Sequence, residues 1–227
     1  MDNIKKESSE LKSLIANSKI ADLIGSYFSN SSDSLKNSNE IQNSYAYLLS
    51  TIGWYVSGNM LEKDVFMIFL SLKRGEIKSA EDILMKYYRK NQNKIKNDLI
   101  KLYPEKIKII AEAFTAHRKS LYFASTILSI SIADGICEGK FFRSKKYIKN
   151  YLLTKNSPDI VEAVLTKQSA IDADTRNLDN SNYFSDLNRH GIMHGLQWEY
   201  GDEKNSLKAL SLLCFISDFV DRKANVK

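Results

Sequence analysis

Cysteine, proline, glycine and histidine are all scarce in this 227-residue chain, and each scarcity narrows the field. Two cysteines do not make a disulfide framework. Cys137 in "DGICEG" and Cys214 in "SLLCFIS" lie in or beside apolar stretches, where a free thiol behaves as a small buried hydrophobe. With the polar, mixed-charge start "MDNIKKESSE", unlike a secretory signal, this leads to the expectation of a cytoplasmic protein. The charge-free run "SLYFASTILSISIA" is serine-rich and shorter than the roughly 20 apolar residues of a membrane helix, so no membrane contact is expected.

The chain is long enough to bury a core without a metal or disulfide staple, as one large domain or a core domain with an appendage. Basic residues number 33 against 27 acidic ones, a formal charge of +6. That balance favours encounters with anions, nucleic acid among them, although lysine-rich surfaces are often only solvated faces.

Two prolines and nine glycines leave few breakers, and apolar positions recur at spacings of three and four almost throughout. The fold class read from this is all-α, a helical bundle. Helices are expected over 3–17, 18–29, 40–57, 61–73, 78–102, 104–117, 119–137, 143–154, 158–168, 181–194 and 203–223. Ser157 and Pro158 suit a helix start, as do Pro104 and Glu105, which end the preceding helix at Tyr103. Asp202 is placed to cap the last helix, with Leu207, Leu210, Leu213, Cys214, Ser217 and Val220 on one broad face. Polar stretches at 30–39 and 167–182 read as breaks, the second as an exposed loop leading to the histidines.

Two of the three histidines fall in "LNRHGIMHG", residues 187–195. His190 and His194 share a helix face, and three readings are open. A metal site is one, but the metalloprotease pattern needs glutamate after the first histidine and has Gly191 here, with no ligand cluster nearby. Ordinary packing is the second: Gly195 ends the helix in a left-handed turn, and Ile192 and Met193 face the core. The third includes Arg189. Imidazole can move protons near neutral pH, and a guanidinium fork suits phosphate oxygens, so the set fits RNA cleavage by its own 2′-hydroxyl without metal or cofactor. On an ideal helix Arg189 and His194 stand about 140° apart, so a groove reached by both would have to tolerate that offset.

Arg189, four intervening residues and His194 form an R-x4-H pattern, and "LNRHGIMHG" resembles the HEPN domains in this pattern and in the glycine after it. "AEAFTAHRKSLYFASTILSISIADGI" resembles the helix pair before the motif in bacterial proteins of that kind, and "EYGDEKNSLKALSLLCFISDF" the tail after it. The resemblance spans roughly 104–227, as a C-terminal HEPN-like domain either separate from or continuous with the helical region 1–100, whose role it leaves open.

The resemblance implies a homodimer whose shared groove carries two copies of the motif. It implies a metal-independent endoribonuclease acting on RNA, tRNA or another structured RNA included, as a toxin or phage-defence protein, with room for an antitoxin or regulatory partner. The alternative it allows is a catalytically silent module that binds RNA, a nucleotide or a partner protein; a purely structural interaction protein is a third possibility.

Arg189 and His194 are the principal catalytic candidates, with His190 as a second catalytic or orienting group. Asn188 either orients phosphate or caps the helix. His117 and Arg118 sit at a helix junction, and Asp134, inside an apolar helix, needs a partner such as Arg118 or Arg189 or else marks the helix end before Gly135. Tyr200 with Gly201 makes the turn into the last helix or, as the alternative, touches substrate. The basic and aromatic stretch 84–102 reads as a core stripe of Leu84, Tyr88, Ile95, Leu99 and Leu102 with a solvated face, and "FFRSKKYIK" at 141–149 is weighed in the same way.

Overall fold

The computed structural model describes residues 38–141, 161, 164, 171 and 187–220. Among them there are seven α-helices and no strand, an all-α fold. They are α1 (Ser38–Thr51), α2 (Glu62–Lys73), α3 (Ile77–Leu102), α4 (Ile107–Arg118), α5 (Tyr122–Ile136), α6 (Arg189–Met193) and α7 (Glu203–Phe215), the last running into a π turn over Ile216–Val220. The helices expected over 3–17, 18–29 and 143–154, the start at Ser157 and Pro158, and the stretch after Phe141 lie outside the described residues. Of the segment 158–168, Val161 and Val164 are helical and buried.

The first helix stops earlier than its periodicity suggests. Gly53 takes a φ of 81°, and two amides turn back, Gly53 to the Ser50 carbonyl at 3.1 Å and Trp54 to the Leu49 carbonyl at 2.9 Å. Trp54 and Tyr55 then enter the core as irregular backbone. Its polar groups are met by side chains: Tyr88 Oη donates to the Tyr55 carbonyl at 2.7 Å, and the Tyr55 amide donates to Ser211 Oγ at 3.2 Å.

Pro104 ends α3 as expected, because the residue before a proline is driven from the helical region. Its first turn is 3₁₀, Pro104–Lys106, and α4 begins only at Ile107. On α3 the stripe Leu84, Tyr88, Ile95 and Leu99 is buried, Leu102 half-buried, and the lysines lie outside it.

The last helix departs most from expectation. Every side chain from Asn205 to Ser217 is buried, not one face only. A helix covered all round is the centre of a bundle. α7 packs most extensively on α5 and also touches α3, while α5 packs on α4 and α2 on α3. Small hydroxyl residues allow the close approach: Ser206 Oγ donates to Ser125 Oγ at 2.9 Å across the α5–α7 contact. One continuous buried cluster runs from Tyr45 through Ile110 to Ile216. The polar stretch 167–182 is not wholly exposed, since Ile171 is fully buried in that cluster.

Candidate functional site

The histidine helix is one turn long. Asn188 caps it, its Oδ1 accepting from the Gly191 amide at 2.7 Å, and its own amide donates to Gln197 Oε1 at 3.2 Å. The other end closes at Gly195, which takes a φ of 68°. The Leu196 amide donates to the Gly191 carbonyl at 2.8 Å and the Gly195 amide to that of Ile192 at 3.2 Å. These bonds at both ends fix a segment whose five helical residues could not hold a helix on propensity.

Within it His190 and His194 are brought together, with ring centroids 4.4 Å apart and planes inclined by 56°. His190 is half-buried and His194 exposed. Arg189 opens the helix, half-buried, and His194 closes it, so the two straddle a single turn. Ile192 points into the core, but Met193 does not: it is 53% exposed.

Met193 has apolar company. Leu196 is 63% and Trp198 73% exposed, and the indole lies over Gly195, 3.8 Å from where a Cβ would stand. The same strand of chain reaches Tyr200, whose ring meets Phe123 edge to face at 5.0 Å. A Cβ at Gly201 would lie 2.1 Å from the Phe123 ring, so any larger residue there would have to push that ring aside. Phe123 itself is 52% exposed, so the histidine pair is followed along the chain by an apolar surface shared with α5. Sequence reading missed this surface, because exposure of single apolar residues has no periodic signal.

His117 and Arg118 do not join the pair through any contact of their own. His117 is buried at the end of α4, its Nδ1 2.8 Å from Ser206 Oγ and its ring edge to face with Tyr122. Burial lowers its pKa, aided by Arg89 and Arg118 and opposed by Glu203. Arg118 is exposed and donates to Thr115 Oγ1 at 3.2 Å. Asp134 finds neither arginine: its Oδ1 accepts from the Phe141 amide at 3.1 Å, and α5 runs past it to Ile136. A backbone amide supplies the hydrogen bond that its half-burial requires. Asp202 caps α7 as expected, accepting from the Asn205 amide at 2.7 Å, and Tyr200 precedes it, packed rather than projecting.

Two further polar clusters stand apart from the motif. Glu81, on α3, accepts from Trp54 Nε1 at 3.0 Å and from Lys204 Nζ at 2.6 Å, with Lys208 Nζ at 3.7 Å. Burial pushes its carboxyl up, but the two lysine charges and these hydrogen bonds outweigh that and hold it below the usual carboxylate range. The second is a cleft of about 470 Å³ lined by Ser57, Tyr87, Lys94, Asp98 and Asp218 among others. Asp218, in the π turn, accepts from Ser57 Oγ at 2.8 Å and the Gly58 amide at 2.9 Å, tying that turn to the loop after α1.

No helix among the described residues is long and apolar enough to cross a membrane. Among known families, curated proteins and solved structures, none matches this chain.

Proposed function

We propose that this protein is a metal-independent endoribonuclease of HEPN type, acting through Arg189, His190 and His194 in a groove between two copies of the chain, as a toxin or phage-defence protein. The observation that carries the reading is the pair of adjacent imidazoles held at the surface, beside Arg189, on a turn locked at both ends. The reaction needs little else. One base takes the 2′-hydroxyl proton, the 2′-oxygen attacks phosphorus, the bond to the 5′-oxygen breaks, and an acid returns a proton to that oxygen. A 2′,3′-cyclic phosphate and a 5′-hydroxyl remain. Arg189 answers the charge gathering on the phosphoryl oxygens.

Geometry argues for two copies. In-line displacement places the entering and leaving oxygens on opposite sides of phosphorus, and two rings 4.4 Å apart on one turn serve one side. The second side is then served from the partner copy, and exposed Phe123, Leu196 and Trp198 supply apolar surface for that contact. The net charge of +6 favours the encounter with RNA.

The test is cleavage of total RNA and tRNA in excess EDTA by wild type and by Arg189→Ala, His190→Ala and His194→Ala, each checked for folding by circular dichroism. Wild type is expected to cleave and leave cyclic phosphate ends, with His194→Ala slower by about 10²–10⁴-fold. Cleavage that survives both Arg189→Ala and His194→Ala refutes the assignment. A silent wild type shifts the weight to a module that binds RNA, a nucleotide or a partner.

A further inference from the structure

We infer that His190 and His194 form a binding site for a borderline-soft divalent cation, Zn²⁺ in the first place, and that occupation of this site switches the proposed nuclease off. Two imidazoles four residues apart on a helix are a ready pair of nitrogen donors, and here the turn that carries them is fixed by the Asn188 cap and the Gly195 turn. The spacing fits. With a zinc–nitrogen bond of about 2.0–2.1 Å, each ring centroid stands roughly 3.2 Å from the ion. Centroids 4.4 Å apart therefore subtend an angle a little under 90° at it. Opening the pair by about 0.8 Å reaches the tetrahedral angle. Rotation of the exposed His194 side chain supplies that movement without disturbing the core.

Donor chemistry sets the ion. Neutral imidazole suits zinc, copper and nickel, and offers nothing to magnesium or calcium, which take oxygen ligands. Among the described residues no group of three or more potential ligands forms, so the pair offers an ion two nitrogen donors and would leave its remaining positions to other ligands. Such a site does not generate a catalytic hydroxide held by three protein ligands. It does the reverse to a pair of proton-transfer groups: a ring nitrogen bound to metal can neither take a proton from a 2′-hydroxyl nor give one to a leaving oxygen. The inhibitory half of the inference rests on the nuclease reading, while the binding half stands without it.

The experiment is calorimetric titration of the full-length protein with ZnCl₂, CuCl₂ and MgCl₂ in the absence of RNA, for wild type, His190→Ala and His194→Ala. Cu²⁺ is expected to bind more tightly than Zn²⁺, Mg²⁺ not at all, and each substitution to weaken Zn²⁺ at least tenfold. Zinc binding unchanged in either variant overturns the site. Both positions are at the surface, and circular dichroism with the more conservative His190→Gln and His194→Gln separates a lost ligand from a lost fold. RNA cleavage is then followed with and without Zn²⁺. Cleavage that persists at saturating Zn²⁺ overturns the inhibitory half alone, whereas a wild type that binds zinc but never cleaves refutes the nuclease reading and leaves the site intact.

Discussion

Replacing Glu81 by glutamine should unsettle the protein far more than removing the lysine it faces. Glutamine keeps the size of the side chain and an oxygen for Trp54 Nε1, but removes the negative charge. Lys208, its side chain 4% exposed on the central helix, then loses a counter-charge 3.7 Å away. Removing one member of a buried pair costs about 3–5 kcal/mol, and the separation beyond hydrogen-bond length, with the Trp54 ring centroid still 6.0 Å from Lys208 Nζ, argues for the lower end, about 3 kcal/mol. For a chain of this size that is a fall of roughly 6–12 °C in Tm. Lys208→Met removes the buried positive charge instead, while Glu81 keeps Lys204 at 2.6 Å, so stability should stay within about 1 kcal/mol of wild type. The double variant should regain about 2 kcal/mol of what Glu81→Gln lost. Urea unfolding followed by circular dichroism measures all four proteins, with the denaturant slope as a check that unfolding remains two-state. A loss below about 1 kcal/mol in Glu81→Gln, or a double variant no more stable than it, would refute the reasoning. Because the folded Glu81 pKa is held below its unfolded value, this stabilisation is present above the ordinary carboxyl range and fades as pH falls through the folded value.

Three further outcomes can be checked. His117 has a folded pKa below its unfolded value of about 6.5, so its contribution is present above that value and lost as pH falls below it. Between pH 7.5 and 5.5 wild type should therefore lose more urea stability than His117→Gln, and equal losses would remove the histidine from the account. Gly195→Ala forces a Cβ into left-handed backbone at a φ of 68° and should cost about 1–2 kcal/mol by the same assay, while Gly191, buried inside the turn, keeps its conformation. Trp198→Ser paired with Phe123→Ser should lower the mass seen by sedimentation at micromolar concentration with little change in Tm, because both side chains are more than half exposed in the single chain. An unchanged mass would show that this surface does not hold two copies together.

Among the described residues, the sequence by itself determined the helical class, most element positions and the conformations that single residues dictate. Pro104 stops α3, Asp202 caps α7 and Gly195 ends α6 because a missing amide, a short acceptor side chain and an absent Cβ act within one turn, whatever surrounds them. It also placed His190 and His194 on one face, since that follows from helical pitch alone. Gly53 carries the same kind of signal, but the apolar periodicity around it continues across the turn and masks it. Tertiary structure decided what depends on neighbours distant in the chain. It buried α7 on every side, paired Asp134 with a backbone amide, set Lys208 against Glu81 across 127 residues, and laid Phe123 over Gly201. Periodicity records which face of a helix is apolar, but only packing decides how many faces are covered, and so it was packing that left Met193, Leu196 and Trp198 in solvent.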